Sequence, residues 1–174
     1  MPGSEAGDGL LVIWHSLSGT TDTLVRALCE GARAQVPGLT VRRVHASRAT
    51  ATDVLSCDAL VLATPETLAS ISGQMKDFLD RAYYPLLGRC SGLPVCLLVV
   101  GGSDGAPTLA QLRRVVAGQG WREVVPALHH VSGVTPDPGS RAPVMPGPVV
   151  PADAVMAARE RGATLAAGLA LGIY

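Results

Sequence analysis

The sequence predicts an α/β domain built on a doubly wound, five-stranded parallel sheet with helices on both faces, a three-layer αβα sandwich. Three observations predict it. Apolar, β-rich runs alternate with stretches of helical periodicity along the whole chain. The runs are continuously apolar rather than alternating, as strands buried on both faces require. Each run leads into a helix rather than a hairpin turn, which implies crossover connections and parallel pairing.

Leu10 to His15 (LLVIWH) is the first strand. A Ser/Gly/Thr segment follows, and Asp22 to Gln35 then repeats apolar residues at helical spacing through Leu24, Val25, Leu28 and Ala32. Pro37-Gly38 stops that helix. Leu39 to Val44 reads as a second strand, Asp53 to Cys57 as a short helix or turn, and Ala59 to Ala63 as a third, buried strand. A helix starts near Ser72, with Met75, Phe78, Leu79 and Ala82 on one face, and ends around Tyr84-Pro85. Pro94 to Val100 is a fourth strand, ended by Gly101-Gly102. Pro107 suits the first turn of a helix running to about Gly118. Trp121 to Leu128 is a weaker fifth strand, broken by Pro126.

Residues 132–151 hold six of the thirteen prolines and exclude a regular element, so they read as an extended surface excursion. A last helix spans Asp153 to about Leu171, where Gly162 and Gly172 belong to a stripe that would let it approach the sheet closely. Residues 1–174 are therefore expected to form a single domain.

Composition narrows the function. Hydrophobic residues make up 48% and charged residues 16%, a globular balance. Fourteen basic and fourteen acidic residues cancel, and no basic cluster exceeds a pair, which speaks against a nucleic-acid partner. Cys29, Cys57, Cys90 and Cys96 form no metal-type or disulfide-type spacing and read as thiols of a reducing compartment. No apolar run approaches the roughly 20 residues of a membrane span, and no signal peptide is visible, so the expected location is cytoplasmic.

In doubly wound sheets ligands bind beyond the strand carboxyl ends. The loop after strand one, Ser16-Leu17-Ser18-Gly19-Thr20-Thr21, offers four hydroxyl residues around one glycine at a helix start, a pattern suited to phosphate. It is neither a P-loop nor a dinucleotide fingerprint, because G-K-[ST] and G-x-G-x-x-G are both absent. An ordinary hydroxyl cap is the bland alternative. Asp22, just inside the helix, either caps it or repels an anion. After strand three comes a connection from Thr64 to Gly73, long for a βα loop. After strand four come Gly101, Gly102, Ser103, Asp104 and Gly105, whose glycines suit backbone passing something flat or crowded. His15 reads as a structural hydrogen-bonding residue. Metal binding by His129-His130 is not favoured. Glu66 and Asp104 read chiefly as loop carboxylates.

His15-Ser16-x-Ser18-Gly19-Thr20-Thr21 resembles the phosphate loop of flavodoxins and related FMN reductases. Thr64-Pro65-Glu66, followed by Ser72-Gly73-Gln74-Met75-Lys76-Asp77-Phe78-Leu79-Asp80-Arg81, is similar to the second loop and helix of the NAD(P)H-dependent FMN reductase and quinone reductase branch. The resemblance implies strand order 2-1-3-4-5 and bound flavin mononucleotide (FMN). Ser16, Leu17, Ser18, Gly19, Thr20 and Thr21 would hold its phosphate. Thr64, Pro65, Glu66, Thr67, Leu68 and Ala69 on one side, and Gly101 to Gly105 on the other, would flank its ring. NAD(P)H would deliver a hydride to the flavin, and a small-molecule acceptor such as a quinone or another flavin would take the electrons. A homodimer or homotetramer is implied as well. Where relatives carry an aromatic and a glycine in the second loop, this chain has Leu68 and Ala69, so the ring contact would be aliphatic. A flavodoxin-type electron carrier, and a module of the same fold that no longer binds flavin, stand beside the enzyme reading.

Overall fold

The computed structural model describes residues 9–133 and 150–174. Along the chain run β1 (Leu10–Trp14), α1 (Thr20–Gln35), β2 (Val41–His45), α2 (Ala51–Leu55), β3 (Ala59–Thr67), β4 (Ser70–Ile71), α3 (Gly73–Leu86), β5 (Pro94–Gly101), α4 (Ala106–Gly118), β6 (Arg122–Glu123), β7 (Leu128–Val131) and α5 (Ala152–Ala170). The main sheet runs β2-β1-β3-β5, with β6 and then β7 both paired to β5 in the edge position. All of these pairs are parallel. With β6 and β7 counted as one interrupted strand, this is the expected order 2-1-3-4-5.

The sheet is buried because its strands carry apolar side chains on both faces. Leu11, Ile13, Leu60, Leu62, Leu97 and Val99 point to one side, where Val54 of α2, Met75, Phe78 and Leu79 of α3, and Leu112 of α4 cover them. Leu10, Val12, Val61, Cys96 and Leu98 point to the other side, beneath Leu24 and Leu28 of α1 and Ala158, Leu165 and Ala166 of α5. Each fully buried Leu or Phe contributes roughly 1.5–3 kcal/mol. With a single Phe, the core depends on many aliphatic contacts instead.

Three expectations are corrected. Strand three does not end at Ala63. It continues to Thr67 and folds back as an antiparallel hairpin with β4, pairing Glu66 with Ile71 and Thr67 with Ser70. The long connection expected there is therefore mostly hairpin. The fifth strand is split around Pro126, which has no amide hydrogen for the ladder, and its second half lies later than expected, so that His129 and His130 are strand residues paired with Val99 and Val100. Gly162 of α5 meets a helix and not the sheet, and Gly172 lies past the helix with nothing packed against it. A Cβ on Gly162 would lie 1.9 Å from the Leu28 carbonyl oxygen, and one on Gly31 would lie 2.1 Å from that of Arg159. The backbones of α1 and α5 thus cross in direct contact. The proline-rich stretch falls, apart from residues 132–133 and 150–151, outside the described residues.

Candidate functional site

The strand order brings the connections after β1, β3 and β5 to the same edge of the sheet. The first begins where β1 delivers His15, which is buried, and ends at Gly19, the residue capping α1. Gly19 has φ 91°, a left-handed conformation that its missing Cβ permits. No side chain caps the helix, so the N–H groups of its first turn have no side-chain acceptor at its positive dipole end. The loop is braced from within: the Gly19 amide donates to Ser16 Oγ at 3.1 Å, and Ser18 Oγ lies 3.1 Å from Thr20 Oγ1. Leu17 projects from it, 53% exposed.

Asp22 neither caps the helix nor stands as a bare charge. Its carboxylate accepts from Arg26 Nε at 2.8 Å and pairs with Arg43 of β2. The Arg43 guanidinium also lies over the Trp14 ring, 4.9 Å from its centre. Of the two roles left open for this acid, capping is not seen, and its charge is balanced by two cations.

The second connection is the β3–β4 hairpin. Its two-residue turn places Leu68 at φ 53° and Ala69 at φ 54°, both left-handed, a turn geometry that favours Asn-Gly. Leu68 is held in solvent, 96% exposed. The hydroxyl of Thr67 is buried without a hydrogen-bond partner. Thr64 is different: its hydroxyl is fully buried and has one hydrogen to give, to Pro65 O at 3.0 Å or to Ser72 Oγ at 2.8 Å. Ser72 Oγ in turn lies 2.8 Å from His15 Nδ1. Thr64 is therefore committed to a buried His15–Ser72–Thr64 network that joins the ends of β1 and β3. Burial, and secondarily the neighbouring His45, push the His15 pKa down, so its imidazole is neutral at physiological pH. Glu66 accepts from Thr108 of α4 at 2.8 Å.

The third connection folds onto itself. A Cβ on Gly101 would lie 1.4 Å from Asp104 O, and one on Gly105, with φ 141°, would lie 2.6 Å from His129 Nε2. Asp104 Oδ1 accepts from the Ala106 amide at 3.0 Å and so starts α4. Crowding within the loop accounts for Gly101 and Gly105, while Gly102 and Ser103 remain at the surface.

The sequence-predicted residues thus gather at one edge in different roles: Ser16, Ser18 and Gly19 at the uncapped helix start with Thr20 and Thr21 buried behind them, Leu68 exposed at the hairpin turn beside the buried hydroxyl of Thr67, and Thr64, Glu66 and Asp104 used as braces. His15, Ser72, Thr108 and Gln111 also shape the edge. No motif flags Thr108 and Gln111, which sit on a helix about 40 residues after the hairpin. Among the described residues no group of three or more metal-ligating side chains gathers, and no helix is long and apolar enough to cross a membrane.

Strand order, crossovers and loop placement define the flavodoxin-like class of α/β proteins. A flavodoxin, WrbA-like protein from Agrobacterium tumefaciens superposes with a TM-score of 0.68 at 19% identity, over 91% of this chain and 94% of that one. The sequence pattern of the NADPH-dependent FMN reductase family matches residues 42–133, more than half the chain. The chain belongs to that family. It is 33% identical to a flavodoxin from Aquifex aeolicus over 55% of this chain and 51% of that protein. It is 34% identical to an NAD(P)H dehydrogenase (quinone) from Cupriavidus metallidurans over 42% and 46%. The chain spans about half the length of the curated relatives it matches.

Proposed function

We propose that this protein binds FMN at the carboxyl edge of its sheet and uses it to pass electrons from NAD(P)H to a small-molecule acceptor such as a quinone or a flavin. The observation that carries the reading is the uncapped start of α1 at Gly19, ringed by hydroxyls, on the same edge as a hairpin with an unpartnered hydroxyl. The residues fit the group. The first-turn amides of α1 and the hydroxyls of Ser16, Ser18, Thr20 and Thr21 hold the phosphate, with Arg26 and Arg43 cancelling Asp22. Thr67 gives its hydroxyl to a polar edge of the ring, while Leu68 and Leu17 shed water against its apolar faces. Gly102, Ser103 and the rest of the third loop form the opposite wall.

Bound FMN supplies the hydride and electron-transfer chemistry. The protein's part is position and exclusion of water. His15, neutral and tied to Ser72, holds β1 and β3 in place and carries no proton in this scheme. The family match and the quinone-dehydrogenase relative support NAD(P)H as donor. The flavodoxin relative favours a second reading, an electron carrier that does not turn over NAD(P)H.

Titration of purified protein with FMN, followed by quenching of flavin fluorescence, tests the site. Saturable binding at about micromolar Kd or tighter is expected, and Ser18→Asp should abolish it by placing a charge against the phosphate. No binding up to about a millimolar removes the flavin reading. Loaded protein that oxidises neither NADH nor NADPH with quinone, dye or free flavin leaves the carrier in its place.

The remaining features follow the same reading. The two apolar layers share one sheet, which supports one domain over residues 1–174. All four cysteines are unpaired, which supports a reducing, cytoplasmic setting. Tyr83, Tyr84 and Leu87 stand exposed at the end of α3 and support a homo-oligomer through that surface.

A further inference from the structure

We infer that Thr108 and Gln111 of α4 are positioning residues for the flavin ring, acting through the β3–β4 hairpin; the inference rests on the FMN reading. The hairpin cannot hold its own shape. β4 has two residues, its ladder has two residue pairs, and short hairpins are marginal in water. Its turn is built from Leu68 and Ala69, neither of which favours the left-handed conformation both adopt. Left alone, such a turn would relax and take Leu68 with it.

What holds it is one face of α4. Gln111 Oε1 accepts from Ser70 Oγ at 2.9 Å and from the Ile71 amide at 3.4 Å, and Gln111 Nε2 donates to the carbonyl oxygen of Ala69 at 3.3 Å. One turn earlier Thr108, fully buried, donates to Glu66 Oε2 at 2.8 Å. Residues three apart share a helix face, so the pair grips both sides of the hairpin: Glu66 on β3, and Ala69 to Ile71 across the turn and β4. The N-cap of α4 is Gly105, the last residue of the third connection. The latch therefore fixes one wall of the ring slot relative to the other before any ligand arrives, and preformed walls spare the ligand the cost of ordering them. None of these bonds reaches the loop between β1 and α1, so phosphate binding should not depend on them.

The test compares two probes, FMN and riboflavin, which share the ring and differ in the phosphate. Wild-type full-length chain, Gln111→Ala, Gln111→Glu, Thr108→Val and Thr108→Ser would each be titrated with both. Amide exchange of residues 67–71 would be followed without ligand, and circular dichroism would confirm folding. Gln111→Ala should weaken both probes about ten-fold while the ratio of their affinities stays at the wild-type value. The hairpin amides should exchange about ten-fold faster. Gln111→Glu keeps the acceptor and loses the donor, so it should fall between. Thr108→Ser should resemble wild type, and Thr108→Val should resemble Gln111→Ala. Wild-type affinity for both probes in Gln111→Ala overturns the inference. So does a loss confined to FMN. Wild-type protein that binds neither probe overturns the cofactor reading itself, an outcome separable from failure of the latch because there the wild type binds.

Discussion

Leu68 and Ala69 carry the clearest strain in the chain: they are the non-glycine residues with positive φ among the described residues. In that region Cβ crowds the following carbonyl, at a cost on the order of 1 kcal/mol per residue. Ala69→Gly removes the crowding, and its stability against urea is predicted to rise by about 1 kcal/mol; an unmoved or lower midpoint would contradict this. His15 makes a second prediction, from pH. Burial first, and then His45, lower its pKa in the folded state, so the unfolded chain binds the proton more tightly. The folded state is favoured fully above the unfolded value of about 6.5 and loses that advantage as pH falls through it toward the lower folded pKa. Urea midpoints compared at pH 7.5 and in mild acid should drop for the wild type and drop less for His15→Gln. Equal drops would place the titrating group elsewhere.

Helix pairing follows the same logic at the next size up. Because a Cβ on Gly162 would meet the Leu28 carbonyl at 1.9 Å, Gly162→Ala must push α5 away from α1. The expected loss is about 2–3 kcal/mol, seen as a thermal midpoint lowered by roughly 5–10 °C. An unchanged midpoint would mean that the helices slide apart at no cost. The sequence foretold a close approach there, since glycines at helical spacing imply backbone nearing backbone. It could not name the partner, because spacing within α5 carries no information about α1. The central strands were legible for a simpler reason: Leu10 to Trp14, Ala59 to Ala63 and Pro94 to Val100 are apolar at every position, and few environments other than a doubly covered sheet require that. β4 was not legible. Two residues give no periodicity, and Pro65 reads as a strand terminator although it pairs with Val100 inside the ladder. The site shows the same division. The hydroxyl pattern from Ser16 to Thr21 is local and could be read directly, whereas the grip of Thr108 and Gln111 on the hairpin exists only once β3 and α4 lie side by side.

The molecule as a whole is two apolar layers divided by one sheet, with the three connections that matter all at one edge. Its charges cancel, so little long-range repulsion keeps copies apart. With Tyr84 and Leu87 exposed on α3, light scattering at micromolar concentration is expected to give a mass above one chain, and a monomer would count against that surface. The crossing of α1 with α5 also has a consequence in time. The face of α1 that α5 covers belongs to the helix whose start forms the candidate phosphate loop, yet α5 is made much later. On a ribosome adding roughly 5–20 residues per second, on the order of ten seconds separate the two. Throughout that interval Leu28 and Gly31 have no helix to rest on. A nascent chain can lay down β1, β3 and β5, but its first helix must wait, exposed to chaperones, for α5 to be translated.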